Sequence, residues 1–278
     1  MDLAAMKVAV YYHQPHATPQ LTAFADGLRQ HGIEPACRNL GARDAMVDAD
    51  LAVCWGARHE ELFERQRAAG SHFLILERGY VGDRLTWTSA RFDGLNGRGW
   101  TPPAPDGGER WREYFADLMQ PWRLPCEGKH VLLAGQVRGD AACRGVDLPA
   151  WYAEVAREAP GLWAWPLRFR PHPHPAAIND RVRGVPVLEG DLADALAGAA
   201  LHVAWNSNTG VDAVMAGVPT VALDPGSMAW PVAAHSLDGM VVPDRAAWGR
   251  DLAWSQWQLE ELVSGAAWDF LHPTSLRV

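Results

Sequence analysis

The residues best suited to chemistry fall into three groups. The first is the turn Asn206-Ser207-Asn208-Thr209-Gly210, made wholly of amide, hydroxyl and glycine residues. It lies between an apolar run, Leu201 to Trp205, and a helical pattern carried by Val211, Val214 and Met215 that Gly217 ends. Val218 to Leu223 then resumes as a buried strand. In such a strand-turn-helix-strand unit the first-turn N–H groups lack internal partners and carry the positive end of the helix dipole. The turn therefore suits a phosphate or diphosphate, with Ser207, Asn208 and Thr209 as added side-chain donors. A plain helix cap would use the same residue types.

The second group is Arg170-Pro171-His172-Pro173-His174-Pro175, which follows the run Leu162 to Phe169. Proline fixes φ and biases the preceding residue toward extended geometry, so Arg170 and His172 are held stiffly at a strand end. Histidines two apart can bind a metal, but no further ligand is spaced nearby, and a nucleotide-phosphate contact from Arg170 and His172 is the better reading. The third group lies in the polar, Gly-rich and Pro-rich stretch Thr86 to Gly108, with Arg91, Asp93, Asn96 and Arg98, and just upstream of it with Glu77 and Arg84. If a hydroxyl must be deprotonated, Asp93 in this glycine loop is the first candidate base and Glu77 at a strand end the second. Asp93 before Gly94 would also suit a simple turn, and Glu77 could pair with Arg78. His13, His16 and His31 lie near the start of the chain, and His13, which ends a strand, ranks first among them.

Short apolar runs alternating with helical patterns must position these groups. Met6 to Tyr12, Leu51 to Trp55 and Phe73 to Leu76 read as strands. Pro19 to His31, closed by Gly32, and His59 to Ala69, ended by Gly70, read as helices. Trp111 to Trp122 reads as a linking helix, Val131 to Ala134 as a strand delivering the turn Gly135-Gln136-Val137-Arg138-Gly139-Asp140, and Trp151 to Ala159 as a helix. The alternation predicts an α/β protein of two Rossmann-like domains facing a cleft, with ligands at the carboxyl ends of parallel strands. The expected boundaries are 1–122 for a first Rossmann-like domain, 123–247 for a second and 248–278 for a helical tail. That tail is apolar at helical intervals and is expected to pack across both halves.

Composition narrows the class. The 278 residues and 48% hydrophobic content support two cores, and no apolar run is long enough to cross a bilayer. Met1 to Val10 carries Asp2 and Lys7 and does not read as a signal peptide, so a cytoplasmic protein is expected. Cys37, Cys54, Cys126 and Cys143 are scattered without metal-binding spacing and suit reduced thiols. A net charge of −8 argues against nonspecific adhesion to nucleic acid or anionic membrane but leaves room for a local basic groove. Among the 14 tryptophans, Trp163, Trp165, Trp254 and Trp257 sit in apolar stretches and read as core.

GQVRGD after a strand, RPHP after another and NSNTGVDAVMAGVPTV as a last βαβ unit resemble the nucleotide-sugar domain of capsular polysaccharide glycosyltransferases, including the Kdo transferases, over roughly residues 130 to 230. That resemblance implies a GT-B fold, with His172 and Pro173 beside the donor nucleotide and Ser207 and Thr209 beside its phosphate. Asp212 stands where those proteins usually have glutamate and would accept ribose hydroxyls, and Gln136, Asn208 and Gly210 complete the expected donor-site residues. LERGYVGDR (76–84), RFDGLNGRG (91–99) and WSQWQLEELVSGAAW (254–268) instead resemble small phage-encoded proteins, which are plausible DNA-modifying glycosyltransferases.

Together these readings predict a metal-independent glycosyltransferase with a UDP- or CMP-linked sugar donor and no required cofactor. The expected acceptor is a 5-hydroxymethylpyrimidine in phage DNA, contacted by His13, Arg84, Arg91, Asn96 and Arg98. The alternatives are a saccharide-directed glycosyltransferase, a nucleotide-sugar 2-epimerase and a non-catalytic nucleotide-sugar-binding protein. The oligomeric state is open.

Overall fold

The structure is a computed structural model that describes residues 6–13, 19–42 and 45–271; His16 lies outside them. The chain divides into two compact units, residues 1–110 with 250–278, and residues 111–249. These differ from the boundaries read from the sequence at the first junction, which falls after residue 110 rather than 122, and in the place of the tail. The tail is a discontinuous part of the first unit rather than a segment of its own.

The first unit contains β1 (Val8–Tyr12), α1 (Pro19–Gln30), β2 (Ala36–Asn39), β3 (Leu51–Trp55), α2 (Glu60–Ala68), β4 (His72–Arg78) and β5 (Thr88–Phe92). Helix α3 (Glu109–Tyr114) leads onward into the second unit. The first sheet has the order β10-β5-β4-β3-β1-β2. Strands β1 to β4 are parallel, whereas β5 runs antiparallel to β4. Side chains of a strand alternate between faces, and both faces here are covered, which is why these strands are apolar without a break. Val8, Val10, Val53 and Leu74 pack on one side with Phe24 and Leu28 of α1, while Ala9, Tyr11, Cys54 and Ile75 pack on the other with Leu62 and Phe63 of α2.

The second unit contains β6 (His130–Ala134), α4 (Leu148–Leu162), β7 (Leu167–Arg170), α5 (Leu192–Ala197), β8 (Ala199–Ala204), α6 (Thr209–Met215) and β9 (Thr220–Ala222). Its sheet, β7-β6-β8-β9, is parallel throughout. Helix α7 (Ala246–Ala253) returns the chain to the first unit, where β10 (Gln256–Trp257), α8 (Leu259–Ser264) and α9 (Ala266–Leu271) complete it.

The tail is held by packing and by one buried cation. Helix α8 approaches α1 so closely that a Cβ on Gly27 would fall 2.0 Å from the Leu262 carbonyl oxygen. Trp268, 1% exposed, meets Phe24 edge-on at 6.0 Å. The Arg110 guanidinium donates to the Ala253 and Gln256 carbonyls and to both oxygens of Glu261, and lies over the rings of Trp87, Trp254 and Trp257. Buried this deeply, the charge is tolerable because nearly every N–H meets an acceptor or a ring face.

The stretch 86–108, expected as an irregular loop, holds β5, with Thr88, Ser89, Ala90 and Phe92 all buried. The turn after it is tight. Asp93 and Asn96 have φ of 59° and 52°, and a Cβ on Gly94 or Gly99 would strike backbone at 2.5 or 2.3 Å.

Candidate functional site

In an open parallel sheet the ligand crevice lies beyond the carboxyl ends of the strands, where the strand order reverses. In the second unit β6 is followed by β7 on one side and β8 on the other. The crevice is therefore bounded by Gly135–Asp140 after β6, Pro171–Pro175 after β7 and Trp205–Gly210 after β8. All three motifs singled out in this half of the sequence reach that edge.

Two of their residues have structural tasks. Gln136, 6% exposed, donates from Nε2 to the Asn206 Oδ1 at 2.8 Å and accepts from the Asn206 N–H at 3.1 Å. Asn206 in turn donates to the Ala142 carbonyl at 2.7 Å and to Asp224 Oδ1 at 3.1 Å. This amide pair ties the carboxyl ends of β6 and β8 together, so the side chain of Gln136 is a latch rather than the donor-site contact expected of it. Gly210 serves packing as well: a Cβ there would sit 3.1 Å from that of Ala229.

The turn before α6 also differs from expectation. Helix α6 has 7 residues. Its leading N–H groups already have acceptors, Thr209 N–H in the Ser207 hydroxyl at 3.2 Å, Gly210 N–H in the Ser207 carbonyl, and Val211 and Asp212 N–H in the Asn208 carbonyl. The leading N–H groups of the helix itself are therefore engaged within the turn. Ser207, Asn208, Thr209 and Asp212 are each half-buried at this edge. Thr209 Oγ1 lies 3.0 Å from Nε2 of His202, a fully buried residue inside β8.

Arg170 ends β7. Its Nε has no partner among the described residues, and a terminal nitrogen makes only a long contact of 3.4 Å to the Gly190 carbonyl. Burial lowers its pKa from the ordinary value, with the carboxylates of Asp191 and Asp212 opposing that. Arg170 and Asp212 thus share one field, although one stands on β7 and the other on α6. His172 Nδ1 accepts the backbone N–H of His174 at 3.0 Å, and His174 Nδ1 accepts that of Ala176 at 3.1 Å. A backbone N–H can only donate, so Nδ1 of each ring is bare and Nε2 carries the proton. Arg138 pairs with Asp180 at 2.7 Å, fastening the loop after β6 to the segment after β7.

In the first unit the reversal lies between β1 and β3, with β2 beside β1 and β4 beside β3. His13 follows β1, Gly56 to His59 follow β3, and Glu77 lies at the carboxyl end of β4. The rings of His13 and His59 stand 5.7 Å apart. Burial lowers the His59 pKa, and His13 and Arg58 add to the effect. The Glu77 carboxylate lies over Gly56, where a Cβ would come within 3.5 Å of Oε2, and its Oε1 accepts the Arg78 N–H at 3.0 Å. Arg58, Arg78 and Arg84 are exposed on this edge, Arg84 donating to the Gly79 carbonyl at 3.1 Å.

Asp93 is elsewhere. It follows the antiparallel β5, whose Phe92 pairs with Leu74, so Asp93 stands at the amino end of β4, opposite Glu77. Its carboxylate accepts from His72 Nδ1 at 2.6 Å, the Phe73 N–H at 3.1 Å and Trp100 Nε1 at 2.9 Å. It is a turn anchor rather than an acid on a free loop. Arg91, expected to meet an acceptor, instead binds the Asn96 and Gly99 carbonyls and the hydroxyls of Thr101 and Ser255. Asn96 and Arg98 belong to this same turn. His31 bonds the Gly265 carbonyl at 3.2 Å and so serves to hold the tail.

Sequence reasoning missed His202 and His59. A histidine inside the apolar run Leu201 to Trp205 was the available signal for the first, and its spacing to Thr209 the second half of that signal.

No family model matches the sequence, and no curated protein matches it in sequence. Solved structures match in fold. The KpsC β-Kdo 2,7 transferase of Thermosulfurimonas dismutans aligns with a TM-score of 0.53 at 13% identity, over 93% of this chain and 98% of that one. The β-Kdo 2,4 transferase of the same organism's KpsC gives 0.51 at 16% identity, over 87% and 89%. The chain thus has the two-Rossmann fold of GT-B glycosyltransferases.

Proposed function

We propose that the protein transfers a sugar from a nucleotide-sugar donor to an acceptor hydroxyl. The observation that carries this reading is the presence at one sheet edge of Arg170, whose Nε has no partner among the described residues, and of the hydroxyls of Ser207 and Thr209, groups able to donate to an anion. A nucleotide's phosphate is the leaving group in such a reaction, and donors fixed in advance stabilise its charge as it departs. These groups perform the electrostatic work of a metal, and the proposed reaction needs none. A UDP- or CMP-linked sugar is the proposed donor.

The base is Glu77. Its carboxylate takes the proton of the acceptor hydroxyl as that oxygen bonds to the anomeric carbon, while the bond from that carbon to the phosphate oxygen breaks. The exposed Arg58, Arg78 and Arg84 around it favour an anionic acceptor, since Asp83 turns its carboxylate into its own turn to bind the Leu85 N–H and the Thr86 hydroxyl. A 5-hydroxymethylpyrimidine in DNA is the acceptor proposed, with His13 beside it. Arg91 no longer supports that choice, because its guanidinium is used within the fold.

The test is a transfer assay with UDP- and CMP-sugars against hydroxymethylated DNA and saccharide acceptors. Glu77→Gln is expected to lower kcat by about 10²- to 10⁴-fold while donor affinity stays within a few-fold. Retained turnover in this variant contradicts the assignment. Epimerised free nucleotide sugar in the absence of acceptor contradicts the transfer reading.

A further inference from the structure

Among the groups outside the proposed reaction, one buried side chain reaches directly into the donor edge. His202 lies in the middle of β8, paired with Leu132 on one side and Thr220 on the other, and it is 0% exposed. Such a position ordinarily carries an apolar residue, and a polar one needs a reason. Its Nε2 meets Thr209 Oγ1 at 3.0 Å, while its Nδ1 has no partner among the described residues.

That asymmetry fixes the proton. If Nδ1 carried it, a buried N–H would lack an acceptor and the full desolvation penalty of that donor would be felt. With the proton on Nε2, the N–H is used by Thr209 and only a lone pair is left unmet. Burial holds the ring neutral by lowering its pKa to about 3. A neutral imidazole with the proton on Nε2 can only donate to Thr209. The hydroxyl of Thr209 then accepts from below, and its own proton has no acceptor among the described residues. Thr209 is half-buried, with its hydroxyl at the carboxyl edge beside Ser207.

We infer that His202 is a positioning residue of the donor site, which forces the Thr209 hydroxyl to present its proton outward to a phosphoryl oxygen of the nucleotide. The inference rests on the donor-site reading above. It assigns to a strand interior a task in ligand recognition. A hydroxyl already held in one orientation loses less rotational freedom on binding than a free one, and the gain is confined to ligands bearing an acceptor at that point.

The experiment is a double-mutant cycle read by calorimetric titration with UDP and CMP, and with uridine and cytidine for comparison. Leucine fits a buried strand site, so His202→Leu is the first variant, with its thermal unfolding recorded. It is expected to weaken binding of the preferred nucleotide by about three- to tenfold, the scale of one group that must be immobilised on binding, and to leave nucleoside binding unchanged. Thr209→Val is expected to do the same, and His202→Leu to add nothing in the Thr209→Val background. Thr209→Ser, which keeps the hydroxyl, retains wild-type affinity and remains sensitive to His202→Leu. An unchanged nucleotide affinity in His202→Leu, or an equal loss with and without the Thr209 hydroxyl, overturns the inference while leaving the donor site standing. A wild-type protein that binds neither UDP nor CMP overturns the donor-site reading itself.

Discussion

Asp93 and Glu77 both looked able to take a proton, and strand register separates them. Each lies on or beside the antiparallel pair β4 and β5, but Glu77 pairs with Ser89 near the carboxyl end of β4, whereas Asp93 follows Phe92 at the amino end. Asp93 is engaged by three donors, and its positive φ is tolerated because those contacts hold it. Asp93→Ala is therefore expected to cost about 1–3 kcal/mol, visible as a lower Tm and urea midpoint, with turnover per folded molecule kept. Loss of turnover at unchanged stability would contradict this and return Asp93 to the chemistry. The residue types were legible in the sequence, and so was the rival turn reading of Asp93-Gly94. What letters could not supply was the direction of β5, because Thr88, Ser89 and Arg91 do not look like a strand buried on both faces. Arg91 shows the same limit: its charge was legible, but its acceptors are scattered, three within the turn and Ser255 far along the chain.

The elements tell a more favourable story for sequence reasoning, with β8 as the instructive case. The run Leu201 to Trp205 and the turn after it were legible from apolar pattern and composition, and the observed β8 and α6 match that order. The expected use of the helix N-terminus did not follow, since α6 is short and its leading N–H groups are satisfied within the turn. His202 within β8 has a measurable consequence for the whole fold. Its pKa is near 6.5 when unfolded and about 3 when folded. Between those values the unfolded chain binds the extra proton, so stability is fully present above about pH 6.5 and falls progressively as pH drops toward 3, by up to about 1.4 kcal/mol for each pH unit crossed. Burial lowers His59 and His130 in the same direction. Acid unfolding of His202→Leu, followed by tryptophan fluorescence, is expected to be shallower than that of the wild type over this window. Identical acid limbs would contradict a neutral, buried His202.

For the whole molecule, the alternation of strands and helices was enough to read two α/β units, of which the second has a wholly parallel sheet, whereas β5 runs antiparallel to both its neighbours in the first. The tail was the part that one-dimensional reading misplaced. Its apolar spacing was plain, but its partners are set by Gly27 in α1 and by the cage of Trp87, Trp254 and Trp257 around Arg110, contacts between residues far apart in sequence. Among the described residues no helix is long and apolar enough to cross a membrane. The proposed activity stands or falls on whether the carboxyl edge of the second sheet holds a nucleotide through Arg170 and His172. Calorimetric titration of the intact protein, and of Arg170→Ala and His172→Ala, with UDP, CMP and their sugar conjugates decides this. Saturable binding of one of these ligands to the wild type is expected, with at least a tenfold weaker Kd in both variants, as for the loss of about 1.4 kcal/mol of phosphate contact. Absence of binding, or an affinity indifferent to both substitutions, would contradict a nucleotide site at this edge.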